Sequence, residues 1–178
     1  MALANFIDRT DFDNSIYQVF TGSDTNAITR LNNVITEHQE EYLKQILGEK
    51  EYYHLYDNYS TPTEKWTKFV DGDDYEIDGY TYHYGGIKPV LVRLCYYDWH
   101  CFVMTMLGAD GEFYAQYKDL IKVFPTNKAV NAFNKGVNLI YNNKSYSPTV
   151  YHFLTEHPDY DFDDLIYTPF EFINRDNF

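Results

Sequence analysis

The sequence predicts a mainly α protein: a helix bundle with a β-hairpin insertion at about residues 73–84 and extended terminal arms. Three observations carry this. Apolar residues recur at helical spacing over residues 25–47 and 130–141. Residues 87–107 are apolar nearly all round, as in a central helix surrounded by others. Ahead of that segment, DDYEIDGYTYHY alternates in twos about an Asp-Gly pair, the pattern of a tight hairpin. At 178 residues the chain fits a single domain able to bury a core.

Taken in order, residues 1–23 mix polar and aromatic side chains without a period and read as an N-terminal arm that orders against a neighbour. Asp24 or Thr25 is the expected N-cap of the first long helix. Within it Ile28, Leu31, Ile35, His38, Tyr42 and Ile46 form a narrow stripe, and Gly48 stops it. EKEYYHLYDNY (49–59) suits a short second helix, and TEKWTKFV a further turn. After the hairpin, Pro89 falls in the first turn of the apolar helix, where a missing N–H costs nothing. GADGEFYAQYKDLIKVF opens on two glycines and reads as a loop or partly extended excursion. Pro125-Thr126 then announces a helix striped by Val130, Phe133, Val137, Ile140 and Tyr141, closed by Asn142-Asn143. A short helix, TVYHFLTEH, ends at Pro158, and residues 158–178 form an aromatic, acidic docking tail.

The acidic stretch decides the class of function. Asp71, Asp73, Asp74, Glu76 and Asp78 stand together with no base among them. Counted from Asp74, a calcium loop needs a bidentate carboxylate at its twelfth position, and that position is Gly85. A type I′ turn at Asp78-Gly79 instead pairs Ile77 with Tyr80, Glu76 with Thr81, Tyr75 with Tyr82 and Asp74 with His83. Ile77, Tyr80, Tyr75 and Tyr82 then share one face, and a slip of one residue would mix the faces. A lone hairpin is marginal in water, so this face must pack on helices or on another subunit.

Net charge and chemistry narrow the field further. A formal charge of −13 disfavours any groove that grips a nucleic-acid backbone. The start MALANFIDRTDF lacks the apolar run of a signal peptide, and no uncharged stretch is long enough for a membrane span. Cys95 and Cys101 read as reduced, packed thiols. HFLTEH places His152 and Glu156 on one face with His157 elsewhere, which is not a zinc-protease spacing. Asp98 and His100 flank Trp99 and cannot act together on one helical face, and His38 reads as a core or interface residue. No catalytic, metal or cofactor residues are expected. The 19 tyrosines suit subunit contacts or a half-buried core rim. Residues 145–178 hold seven acids against Arg175 alone, and the aromatics there favour an interaction role over disorder. Candidate interface residues are Tyr75, Ile77, Tyr80 and Tyr82 of the hairpin and Tyr160, Phe162, Tyr167, Phe170 and Phe172 of the tail.

One ordered set of motifs resembles a known family. Lys65-Trp66, Val70-Asp71-Gly72, Tyr75, Tyr80, Gly86-Ile87-Lys88 and Tyr96-Tyr97, followed by NKAVNAFNKGVNLIY and YHFLTEHPDYDF, resemble head–tail connector (neck ring or adaptor) proteins of tailed phages of Bacteroidales, crAss-like phages included. The likeness covers residues 42–178, and it departs at Pro89 and at GADGEF, which leaves the bounds of the apolar helix open. It implies a non-enzymatic virion protein, made in the host cytoplasm, that forms a ring, commonly dodecameric, beneath the portal. That ring would contact the portal and the adjacent neck or tail ring and let DNA pass without specific binding or any membrane role. A tail-completion or capsid-decorating protein stands as the structural alternative, and a small metal-dependent hydrolase using His152, Glu156 and hairpin acids as the enzymatic one.

Overall fold

The protein is seen in a computed structural model that describes residues 5–13, 16–19, 25–59, 64–109, 127–141, 148–160 and 170–173. Over these the element order is α1 (Arg9–Asp13), α2 (Thr25–Tyr59), α3 (Glu64–Asp71), β1 (Asp73–Ile77), β2 (Tyr80–Tyr84), α4 (Lys88–Ala109), α5 (Asn127–Tyr141) and α6 (Val150–Glu156). The fold is therefore mainly helical with one antiparallel two-stranded hairpin, as the sequence predicts. No helix among the described residues is long and apolar enough to cross a membrane.

The apolar α4 lies at the centre and packs on α2 and α5, and α6 packs on α5. Leu31, Ile35, Tyr42 and Ile46 of the predicted stripe are buried, and Val34, Leu43 and Leu47 widen it. Gly48 breaks α2 into two helices at φ 77° and ψ 161°, a conformation essentially confined to glycine. On α5 the buried set includes Ala129, Ala132 and Gly136 as well as Val137 and Ile140. A Cβ at Gly136 would lie 2.9 Å from Leu94 Cδ2, so the small side of α5 lets the two helices approach closely.

Three expectations are corrected. The segment TEKWTKFV is a helix rather than a turn: Trp66, Phe69 and Val70 fall at i, i+3 and i+4 and are buried together. Three apolar residues are too few to read as a period, yet they hold two turns against α2. The N-terminal arm, where described, orders against its own chain. Phe6, Ile7, Phe12, Tyr17 and Val19 are buried in the same core as the helices. The buried Gln39 side chain accepts from the Phe6 and Ile7 N–H groups at 2.8 and 3.3 Å, which satisfies backbone donors that burial would otherwise orphan. Gly108 and Ala109, expected to open the excursion, belong instead to α4, and the rest of the excursion (110–124), the Pro125-Thr126 start and the Asn142-Asn143 stop lie outside the described residues.

Candidate functional site

The hairpin has the predicted register: Asp74 faces His83, Tyr75 faces Tyr82, Glu76 faces Thr81 and Ile77 faces Tyr80. Asp78 and Gly79 both take positive φ, 51° and 81°, as a type I′ turn requires. On the outer face His83 Nδ1 lies 2.7 Å from Asp74 Oδ1.

The inner face is seated on α6. Tyr75, 5% exposed, stacks on Tyr82 at 5.6 Å and meets the Phe153 ring edge-on at 5.4 Å. Its hydroxyl lies 2.8 Å from His152 Nδ1. Tyr84 stacks on the same Phe153 ring, with centroids 4.0 Å apart at 15°. Phe153 is fully buried, so one side chain anchors both strands. Burial pushes the Tyr84 hydroxyl well above its usual titration range, and among the described residues that hydroxyl has no hydrogen-bond partner.

Polar contacts close the base. His157 Nδ1 accepts the Asp159 N–H at 3.1 Å, and Nε2 lies 3.1 Å from Asp73 Oδ2. With Nδ1 accepting, the neutral ring carries its proton on Nε2 and donates it to Asp73. Both ring nitrogens are thus engaged, and His157 has no free lone pair with which to act as a base. Lys68 Nζ bridges Asp73 and Asp159 at 3.5 and 3.3 Å. Tyr160 completes the base by donating to the Lys65 carbonyl at 2.6 Å, its ring 6.2 Å from Trp66.

The hairpin's neck is a crossing of two glycines. Gly72 (φ 105°) and Gly86 (φ 78°) stand where the chain enters and leaves. A Cβ at Gly72 would lie 2.4 Å from the Tyr84 carbonyl oxygen, and one at Gly86 would lie 2.4 Å from that of Val70. The Ile87 N–H donates to the Phe69 carbonyl at 3.0 Å, and Lys88 Nζ reaches Asp71 Oδ1 at 2.5 Å across the crossing.

Of the candidate interface residues, Tyr75 and Phe170 are buried within the chain, and Ile77, Tyr82 and Tyr160 are half-buried. Tyr80 at the hairpin tip is 71% exposed and Phe172 is 52% exposed. Phe162 and Tyr167 lie outside the described residues. His152 is taken up by Tyr75, Glu156 is exposed, and among the described residues no group of three or more His, Cys, Asp and Glu could hold a metal ion.

A second polar site went unread in the sequence. Asp98 of α4 accepts the Tyr42 hydroxyl at 2.5 Å, with His38 Nδ1 at 3.7 Å. Burial pushes the Asp98 carboxyl up to about 6, partly offset by the Tyr42 hydrogen bond and by His38, while Glu41 adds to the rise. Burial likewise raises the Tyr42 hydroxyl and the Cys95 thiol, so both stay protonated. The partner of Asp98 is 56 residues away, so the signal was an isolated acid in an otherwise apolar helix. His100 turns away to lie against Tyr96, ring centroids 4.4 Å apart.

No family model, curated protein or solved structure matches this chain.

Proposed function

We propose that this chain is a structural virion protein that forms a ring in a phage neck, joins the portal to the tail and extends the DNA channel. One observation carries the reading: the residues from Trp66 to Lys88 that bear the resemblance meet around the hairpin. Trp66 packs on Phe69 beneath the hairpin, Asp71 and Lys88 pair across its neck, Gly72 and Gly86 cross there, and Tyr75 seats the sheet. What that machinery holds out is an exposed Tyr80 on a firmly anchored tip. A closed ring joins unlike surfaces of neighbouring copies, and a fixed protruding tip suits the male half of such a contact. The charge of −13 is consistent with a channel wall that repels phosphate and lets a genome slide.

The protein works by assembly in this reading, with no catalysis and no cofactor. Density for this chain in a ring at the neck of purified virions is the expected result. Density elsewhere on the particle would move it to a tail-completion or decorating role, and absence from virions would sink both. A neutral or basic lumen would defeat the sliding argument alone.

A further inference from the structure

The C-terminal segment is held in an unusual way. Phe170 N–H donates to the Tyr141 hydroxyl at 3.2 Å. Three residues on, Asn134 grips Ile173 from both sides: its Nδ2 donates to the Ile173 carbonyl at 3.1 Å, and its Oδ1 accepts the Ile173 N–H at 2.9 Å. Asn134 and Tyr141 are seven residues apart on α5, about 10 Å along a helix axis. Phe170 and Ile173 are three apart, also about 10 Å in extended chain. The two repeats match, with the tail running antiparallel to α5. The Phe170 ring fills the gap between Tyr42 and Tyr141, at 5.8 and 6.5 Å, and is buried.

We infer that the groove between Asn134 and Tyr141 of α5 and Tyr42 of α2 is a peptide-docking groove whose occupant is exchangeable, and that in an assembly it takes the C-terminal segment of a second copy of this chain. The groove reads an aromatic side chain and then a backbone N–H and C=O three residues later. Three hydrogen bonds from Asn134 and Tyr141 go to the backbone of the tail, and these do not depend on which copy supplies the strand. Residues 161–169 separate the docked segment from Tyr160, where the chain is again anchored. Ten residue steps can span roughly 33 Å, about the diameter of a small domain, so the tail can reach a neighbour. Exchange of an identical element costs little, because each copy gives up its own tail and receives the same one from another. Phe172, exposed when the tail docks on its own body, would then lie along a boundary between copies. The identity of the second copy as a ring neighbour rests on the neck reading; the groove rests on its own geometry.

Cysteine trapping in the full-length chain tests this, in a Cys101→Ser background because Cys101 is half-exposed and Cys95 is buried. A chain carrying both Asn138→Cys, one turn along α5 from Asn134 and outside the hydrogen bonds to the tail, and Ile173→Cys should close on itself with a short bismaleimide. Equal amounts of the two single variants, mixed at high concentration, should shift to a covalent dimer, and Arg30→Cys mixed with Ile173→Cys should not. Closure of the double variant with the mixture left monomeric would overturn exchange. Failure of the double variant to close would overturn the groove itself. Dimers from the mixture together with no density in virions would leave the groove standing and remove the neck.

Discussion

The hairpin and the C-terminal segment both present aromatic side chains and both lie against the helices, yet they are fastened by different parts of the chain. The hairpin is fixed by backbone: a five-pair ladder, a glycine crossing at its neck and one buried phenylalanine beneath both strands. The tail is fixed by side chains reaching from a single helix to its backbone. A backbone-fixed element resists displacement because moving it means breaking the ladder and the crossing at once. A segment held by three side-chain hydrogen bonds and one ring can leave and return. The difference suits a rigid tip for presenting and a tail for exchanging.

Substitutions can break that contrast, beginning where the effect is greatest. Phe153→Ala removes the anchor of both strands and should cost about 3–5 kcal/mol in urea unfolding. Gly86→Ala should cost roughly 3 kcal/mol, since strain at positive φ adds to a clash with the Val70 carbonyl, whereas Gly79→Ala at the open tip should cost only about 1 kcal/mol. Equal costs at the two glycines would mean that the neck is not a rigid crossing.

The tail side is sensitive to pH through Tyr42, which touches both Phe170 and Asp98. The Asp98 carboxyl sits at about 6 in the folded chain against an ordinary 3.8, so the folded state binds the proton more tightly than the unfolded one. Its contribution therefore favours the fold increasingly as pH falls from about 6 towards 4 and is lost as pH rises through about 6. Asp98→Asn should raise stability at pH 7.5 by about 2 kcal/mol and flatten the slope between pH 4 and 6, as followed by thermal melts. An unchanged slope would show that the carboxyl is not the group responsible.

Smaller effects sharpen the picture. Tyr84→Phe should stabilise the chain by about 1 kcal/mol, because it deletes a buried hydroxyl left without a partner among the described residues and keeps the stack on Phe153. Tyr80→Ala should change stability by less than about 0.5 kcal/mol, the norm for an exposed side chain, while abolishing incorporation into particles. Loss of folding with Tyr80→Ala would make the tip a core residue and remove its role in presentation.

Local patterns were legible in advance. The hairpin register followed from Asp78-Gly79 and the alternation around it, and the helix break at Gly48 from the end of a stripe. What escaped was held by pairs distant in sequence. Tyr42 with Asp98, Asn134 with Ile173 and Gln39 with the Phe6 amide lie 56, 39 and 33 residues apart, and no period links them. The helix at Glu64–Asp71 escaped for another reason: three apolar residues make too short a stripe to count.

By itself, the sequence determined most of the secondary structure, the face of each strand and the exclusion of a calcium loop, because turn chemistry and apolar periodicity act over a few residues. Tertiary structure alone decided which aromatic residues stay outside. Tyr75, Tyr80, Phe170 and Phe172 are alike as residue types, and what separates them is whether Phe153 or Tyr42 lies within reach once the chain has folded.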